Sequence, residues 1–227
     1  MLVHRIADFL ESVSIFGRLT PEERRTFAAL AREHRYPRGA LIVRQGDPGD
    51  ALYVVRSGAV KVSVVGEDGR EVILDTLDQG DHFGELALID GQPRSAHVVA
   101  IEPAVLLVLR REDFRREVER QPRVAWALLE ELSRRLRDAD EKITGLVLLD
   151  VPGRISRLLL DLSSETTNGT IEKPLTHQTI AQMIGASRET VSRAMKEFQQ
   201  EGLIRVERRR IAVANRDALE KRAQVRM

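Results

Sequence analysis

The chain has 227 residues, a formal net charge of +1 and 42% hydrophobic residues, which suits one large domain or two small ones with a buried core. Cysteine is absent, which excludes disulfides, thiolate metal sites, iron–sulfur clusters and cysteine nucleophiles. No apolar run reaches the roughly 18 residues of a transmembrane helix. We therefore predict a cytoplasmic protein without membrane contact.

The charge is distributed unevenly along the chain. From Pro152 to the C-terminus there are 14 Lys and Arg residues against 9 Asp and Glu residues, a net charge of +5, and the rest of the chain carries −4. A basic C-terminal third favours a polyanionic partner for that part of the chain. Surface charge without a function is the alternative.

Residues 1–35 are predicted to be helical. Thr20 suits an N-cap, Pro21 suits the first helical position, and Glu22 and Glu23 favour the first turn. The segment before them is interpreted as a surface helix rather than a signal peptide, because acidic residues interrupt its apolar stretch.

From Tyr36 onward, short alternating apolar runs are separated by turns rich in Gly, Asp and Pro. Many short strands at this spacing predict a sandwich or a barrel. The predicted strands are Ala40–Val43, Leu52–Arg56, Val60–Val65, Val72–Leu77, His97–Ala100 and Val105–Leu109.

The segment FGELALIDGQPRSA, residues 83–96, interrupts these strands and suggests an anion site. A short helix is predicted to start at Glu85, its free N–H groups favour an anion, and Gly84 permits a close approach. Arg94 and Ser95 can bind phosphate oxygens, and Glu85 can accept hydrogen bonds from vicinal sugar hydroxyls. The residues alone are equally compatible with a Glu85–Arg94 ion pair that closes a loop.

After Arg111 the pattern becomes helical, and Pro122 suits the first turn of a long helix. Apolar residues within it follow an alternating spacing of three and four, which predicts a coiled-coil dimer helix. A helix packed only on its own barrel is the alternative. The predicted seam consists of Leu129, Leu132, Leu136, Ala139, Ile143 and Leu146.

Asp150–Gly153 is predicted to be a hinge, followed by a helix near Arg154–Ser163. Further on, two helices are predicted around a turn at Gly185, with Thr176 and Ser187 as their N-caps, and this is the helix-turn-helix plan. The second helix has a free polar face, formed by Arg188, Glu189, Ser192, Arg193 and Lys196.

This free face has the chemistry of major-groove readout. Arg188 and Arg193 can donate to guanine, and Glu189 can accept from cytosine. A predicted hairpin, Leu203–Val206 with Arg210–Val213, would present Arg208 and Arg209 as a wing beside the DNA backbone. The alternative is a solvated face with a Glu189–Arg193 pair.

Three segments, in this order, resemble the CRP/FNR family of bacterial regulators over about Leu10–Val213. They are FGELALIDGQPRSA, the long helix that continues into GLVLLDVPGRISRLLLDL, and GASRETVSRAMKEFQQEGLI. The resemblance implies an α+β fold: a jelly-roll-like double-stranded β-helix (the cyclic-nucleotide-binding β-roll), a long dimerisation helix and a C-terminal winged helix-turn-helix. The corresponding domains would be residues 1–121, 122–149 and 150–227.

The resemblance also implies roles for single residues. Glu85 would hold the ribose, Arg94 and Ser95 the cyclic phosphate, and Gly84 and Leu86 would contribute backbone groups. Arg188, Glu189 and Arg193 would read TGTGA-like half-sites of a palindrome. Positions that match phosphate contacts, or that flank the readout residues, are Thr176, Gln178, Ser187 and Ser192.

One departure from the family pattern concerns the base of the nucleotide. A hydroxyl pair that contacts adenine in well-known members aligns with Ala139 and Asp140. Asp140 is an acceptor, so it suits the amino group of adenine or the N1–H and 2-amino group of guanine, although it could also pair with Arg137. Arg135 matches another position that lines the pocket.

We therefore predict a homodimeric transcription regulator, not an enzyme, controlled by a cyclic mononucleotide, either cAMP or cGMP. Its partners would be double-stranded DNA and RNA polymerase, and no metal, haem or iron–sulfur cluster is expected. One alternative is a regulator that is active without ligand or responds to another effector such as a cyclic dinucleotide. The other is a phosphodiesterase that uses Glu85 and His97, although no metal cluster or activated nucleophile is evident.

Overall fold

The computed structural model describes residues 2–164, 166, 169–172, 175–207 and 210–224. The chain divides into two compact units, one up to Leu136 and one from Arg137 onward, and the boundary falls within a long helix. None of the helices among the described residues is long and apolar enough to cross a membrane.

Two helices open the first unit, α1 (Leu2–Leu10) and α2 (Pro21–Leu30). The predicted start of α2 is confirmed: the Thr20 side chain accepts from the Glu23 N–H, and the Glu23 carboxylate accepts from the Thr20 N–H at 2.7 Å. This reciprocal capping box satisfies two N–H groups that the first turn of the helix would otherwise leave without partners. Leu10 of α1, Phe27 of α2 and Phe16 from the segment between the two helices are all fully buried in one apolar core.

The strands that follow are β1 (Arg32–Tyr36), β2 (Leu41–Val43), β3 (Ala51–Ser57), β4 (Val60–Val65), β5 (Glu71–Leu77), β6 (His82–Phe83), β7 (His97–Ala100) and β8 (Ala104–Arg110). They form two four-stranded antiparallel sheets, in the strand orders β1-β8-β3-β6 and β2-β7-β4-β5. A separate apolar cluster, with Val55 and Phe83 from one sheet and Val60 and Val98 from the other, fills the space between them.

The expectation of helix throughout residues 1–35 is wrong at its end, because Arg32–Tyr36 forms strand β1. Its sequence, REHRY, has little apolar character and no strand signal of its own. The strand forms at a sheet edge by pairing with the buried strand β8, where Arg32 lies opposite Val108 and Tyr36 opposite Ala104. Tertiary pairing decides the conformation here, against the local pattern.

A β-bulge interrupts the pairing of β4 with β5. Val62 lies opposite Asp75 and Ser63 lies opposite Ile73, so Leu74 is the extra residue on β5. Bulges of this kind re-aim side chains and are common beside binding sites.

Helix α3 (Glu85–Asp90) lies between strands β6 and β7 along the chain. Helices α4 (Arg111–Arg120) and α5 (Pro122–Leu148) follow β8. The long helix α5 begins at Pro122, as predicted, and has 27 residues. Its first turns pack on the core of the first unit through Val124 and Leu128.

The predicted hinge is shorter than expected, because helix α6 (Val151–Ser164) begins within it. The Asp150 carboxylate accepts a hydrogen bond from the Gly153 N–H at 2.8 Å, and Pro152 lies in the first turn, where a helix needs no donor from it. Only Leu149 and Asp150 separate α5 from α6.

The rest of the second unit is built around one core that includes Ile155, Leu159 and Phe198. Its elements are β9 (Thr170–Ile171), α7 (His177–Ile184), α8 (Arg188–Gln200), β10 (Ile204–Glu207), β11 (Arg210–Val213) and α9 (Arg216–Ala223), with the three strands in the order β10-β11-β9. The predicted mixed helix-and-sheet fold, a roll followed by a long helix and a helix-turn-helix, is confirmed.

Candidate functional site

A cavity of about 200 Å³ lies in the first unit, bounded by the two sheets, helix α3 and the first half of α5. It brings together six of the predicted ligand-binding residues, which are Gly84, Glu85, Leu86, Arg94, Ser95 and Arg135. The other two predicted residues, Ala139 and Asp140, lie in the second unit, where both side chains are exposed.

Arg94 is the buried cation of this cavity, with only 6% of its surface exposed. Its guanidinium donates to Gly84 O at 3.0 Å and to Ala51 O at 2.9 Å, and it lies 5.6 Å from the centre of the Tyr53 ring. Among the described residues no carboxylate neutralises it closely, since the nearest one, on the exposed Asp50, is 3.9 Å away. A buried guanidinium held by neutral carbonyls keeps its positive charge available to an anion.

The structure shows why position 84 requires a glycine, which the sequence did not reveal. It is the N-cap of α3 with φ 89°, and a Cβ at this position would lie 2.5 Å from Arg94 Nη1 and 2.9 Å from Ala51 O. The space that a side chain at this position would need is therefore occupied by the guanidinium of Arg94 and the backbone of strand β3, and the predicted close approach to an anion stays a prediction. Sequence reasoning missed Ala51 and Tyr53, because a carbonyl acceptor and a strand aromatic carry no local signal.

Glu85 is 3% exposed, and its two carboxylate oxygens differ in their surroundings. Oε1 accepts from Arg135 Nη1 at 3.1 Å, whereas Oε2 is buried and has no hydrogen-bond partner within the described residues. Burial raises the pKa of this carboxyl, and the positive charge of Arg135 opposes that rise. Since its partner is Arg135, an ion pair with Arg94 is not what closes the loop.

Arg135 links helix α5 to the end of strand β6. Besides Glu85, its guanidinium donates to His82 O at 2.9 Å and to Glu131 Oε1 at 3.0 Å. The His82 ring beneath it is 1% exposed, and burial, with a further contribution from Arg135, lowers the pKa of that imidazole to about 4. The ring is therefore neutral at physiological pH.

The second unit displays the predicted helix-turn-helix. Thr176 Oγ1 accepts from the Thr179 N–H at 3.0 Å, Ser187 Oγ accepts from the Thr190 N–H at 3.2 Å, and Gly185 takes φ 64° at the turn between the helices. Both predicted caps are confirmed.

Helix α8 buries Val191, Ala194, Met195 and Phe198. The opposite face is exposed, and no ion pair joins Glu189 to Arg193 within the described part of the chain. The exposed side chains on this face and around α7 include Thr176, Gln178, Ser187, Arg188, Glu189, Ser192 and Arg193. Arg208 and Arg209, predicted for the wing, lie outside the described residues.

The predicted seam of α5 is largely uncovered. Leu129, Leu136, Ile143 and Leu146 are each 52–63% exposed, whereas Leu132 packs partly against the core of the first unit. Large apolar side chains repeated along one helix are costly to leave in water and mark an association surface.

Comparisons with known proteins agree with this geometry. Residues 33–121 match the family model of the cyclic nucleotide-binding domain, and residues 153–222 match that of the Crp-like helix-turn-helix domain. The chain is 34% identical over 225 residues to a CRP-like cAMP-activated global transcriptional regulator of Mycobacterium tuberculosis, covering 96% of this chain and 99% of the relative. It is 36% identical over 185 residues to the cAMP-activated global transcriptional regulator CRP of Escherichia coli, covering 79% and 88%.

Solved structures point the same way. The c-di-GMP-responsive global regulator CLP of Xanthomonas campestris superposes with a TM-score of 0.75 at 28% identity, over 86% of this chain and 99% of that one. The catabolite activator protein of Thermus thermophilus gives 0.56 at 36% identity, over 92% and 98%. The chain therefore belongs to the CRP/FNR family of DNA-binding transcription regulators, with a cyclic nucleotide-binding domain ahead of its helix-turn-helix.

Proposed function

We propose that this regulator is a homodimer whose effector is a cyclic mononucleotide bound in the cavity of the first unit. The observation that carries the proposal is that a buried arginine, Arg94, and a buried carboxylate, Glu85, line the same wall of the cavity without being paired to each other. Arg94 and Ser95 would bind the cyclic phosphate. The free Oε2 of Glu85 would accept from the ribose 2′-hydroxyl, which would give a buried acceptor the partner that it lacks.

cAMP is the first candidate effector, because the named relatives from M. tuberculosis and E. coli are cAMP-activated. cGMP is the second, because Asp140 stands where a hydroxyl is expected and offers only acceptors. In the proposed mechanism the nucleotide shifts a two-state equilibrium toward the DNA-binding form, which requires a higher affinity for that form.

A cyclic dinucleotide is favoured by one observation, the similarity to the c-di-GMP-responsive CLP. The charges in the cavity argue for a single phosphate instead. Of the two guanidinium groups that line it, Arg135 is already paired with Glu85 at 3.1 Å, which leaves Arg94 for an anion.

For DNA, we propose that Arg188, Glu189 and Arg193 read base edges of a palindromic TGTGA-like operator, while Thr176, Gln178, Ser187 and Ser192 support phosphate contacts or the position of the helix. For Arg208 and Arg209 on the wing, we propose contacts with the DNA backbone.

The proposed domains are residues 1–121, 122–149 and 150–227. The proposed downstream partner is RNA polymerase, and the proposed location is the cytoplasm.

The experiment that tests the effector is calorimetry with cAMP and cGMP in parallel, followed by gel shifts on a palindromic TGTGA duplex with each nucleotide. Arg94→Leu should abolish nucleotide binding, since it removes the buried cation that would neutralise the phosphate. Arg44→Leu, the same change at an exposed arginine outside the cavity lining, should bind as the wild type does.

Unchanged affinity in Arg94→Leu would show that the phosphate is bound elsewhere. Recovery of AMP after incubation with cAMP would instead support the phosphodiesterase reading. Tight binding of c-di-GMP in place of both mononucleotides would favour the dinucleotide.

A further inference from the structure

The cavity has two chemically different walls. Glu85, Arg94 and Ser95 line one of them, near helix α3. The other is formed by β2, β4, β5 and β7, and its lining side chains are Val43, Val62, Leu74, Asp75, Leu77 and Val98. A nucleotide with its phosphate and ribose on the first wall would have its base against this second, mostly apolar wall, where Asp75 is the charged residue.

The register of the sheet directs Asp75 toward the cavity. Val60 lies opposite Leu77 and Val62 lies opposite Asp75 in an unbroken antiparallel pairing. Because side chains alternate along a strand, Asp75 shares the face of Leu77, which is 5% exposed and lines the cavity. The bulge at Leu74 interrupts this pairing directly beside Asp75, and both residues line the cavity.

The Asp75 carboxylate has acceptor capacity to spare. Oδ1 accepts from the Thr76 N–H at 2.8 Å, and no cationic side chain pairs with the carboxylate within the described residues. The cavity's two arginines are bound to other acceptors, Arg94 to carbonyls and Arg135 to Glu85. An ionised carboxylate only accepts hydrogen bonds, so it favours a base edge that carries donors and disfavours one that carries acceptors.

We propose that Asp75 determines base specificity by accepting a hydrogen bond from an exocyclic amino group of the nucleobase. The proposal rests on the proposed function, because it assumes a cyclic nucleotide with its phosphate at Arg94. The recognised donor is the 6-amino group of adenine or the 2-amino group of guanine, and the experiment distinguishes the two.

Each nucleotide is compared with its counterpart that lacks the amino group. Calorimetry measures the wild type and Asp75→Ala with cAMP and with the 3′,5′-cyclic monophosphate of purine riboside, and in a second arm with cGMP and cIMP. In one of the arms the wild type should prefer the amino-bearing nucleotide by about tenfold, the scale of one hydrogen bond to a charged group. Asp75→Ala should remove that preference.

Two further variants separate this effect from charge and folding. Glu67→Ala removes an exposed carboxylate from the turn of the same hairpin and should keep the preference. Asp75→Asn keeps an acceptor oxygen without the charge and should retain part of it. A change in affinity that is equal for both nucleotides of a pair would reflect charge alone and would contradict the proposal.

The proposed function and the role of Asp75 would be contradicted by different results. If no cyclic mononucleotide binds the wild type, the proposed function fails and this inference fails with it. If cAMP or cGMP binds and requires Arg94, but the amino-group preference is absent or survives in Asp75→Ala, only the role of Asp75 is refuted.

Discussion

His82 couples the stability of the first unit to pH. Its ring is 1% exposed, its Nε2 has no hydrogen-bond partner within the described residues, and its pKa in the folded state is about 4 instead of 6.5. The unfolded chain therefore binds a proton at this residue at a higher pH than the folded chain does. Stability is lost as the pH falls from about 6.5 to about 4, and the shift corresponds to roughly 3 kcal/mol.

His82→Gln should remove most of this pH dependence. We expect the free energy of unfolding of the wild type, relative to the variant, to fall by about 3 kcal/mol between pH 7 and pH 4. Guanidinium unfolding of both proteins at each pH, followed by far-ultraviolet circular dichroism, measures this difference.

Glu85 contributes with the opposite sign, because its raised pKa lets the folded state take up a proton first as the pH falls. The comparison with His82→Gln removes this contribution, since Glu85 is present in both proteins. Parallel pH profiles of the two proteins would contradict the assignment to His82.

Replacing Arg188 should alter the DNA sequence preference at a single base. It is exposed at the first position of α8, directly after the Ser187 cap. Arg188→Ala should cost about 1–3 kcal/mol on the preferred operator and relax the preference at one guanine. Binding to a set of operators with single base changes measures this, and an equal loss on every sequence would identify Arg188 as a phosphate contact.

At the scale of elements, the uncovered seam of α5 predicts how the protein associates. Ile143 and Leu136 are 58% and 63% exposed, and burying them in a second copy would stabilise a dimer. Replacing either one by Asp would place a charge in that interface, so we expect the dimer to dissociate at a concentration at least about tenfold higher.

Sedimentation equilibrium measures this change. Arg137→Asp, next to Leu136 but outside the seam, gives the same side chain on the same helix and should leave association unchanged. If Leu136→Asp and Ile143→Asp associate as the wild type does, the dimer does not use this seam.

Elements with strong local signals could be predicted from the sequence. Strands β4 and β7 have the expected bounds, and α2, α7 and α8 begin after the expected caps, because apolar alternation and capping hydroxyls are local properties. Strand β1 could not be predicted, because its conformation depends on β8, about seventy residues further along the chain. Strands β6 and β9, of two residues each, are too short for any periodicity.

The residues of the candidate site also divide into those that the local sequence could predict and those that it could not. Arg94 and Ser95 are adjacent in a recognisable segment, so their chemistry could be predicted locally. The partner of Glu85 lies fifty residues away on α5, and the residues alone suggested Arg94 instead of Arg135. Asp75 carried no signal, because alternation along a strand does not show which of its two faces lines a cavity.

At the scale of the whole molecule, the Pro and Gly residues that break the helical pattern lie at Asp150–Gly153, where the sequence predicts a hinge. The division into two compact units falls earlier, between Leu136 and Arg137. Pro and Gly mark where a helix can end, and α5 does end just before them, at Leu148. Which contacts a helix makes along its length is a tertiary property. A change of partner in mid-helix therefore needs no Pro or Gly and leaves no mark in the sequence.

Most multi-domain chains are joined by an exposed linker that proteases can cut. Here the boundary lies inside the 27-residue helix α5, whose backbone N–H groups are bonded four residues back along the chain. A protease therefore meets no extended segment at the boundary. Truncation at residue 136 would leave four carbonyls without partners, so a fragment intended to fold alone should carry α5 whole.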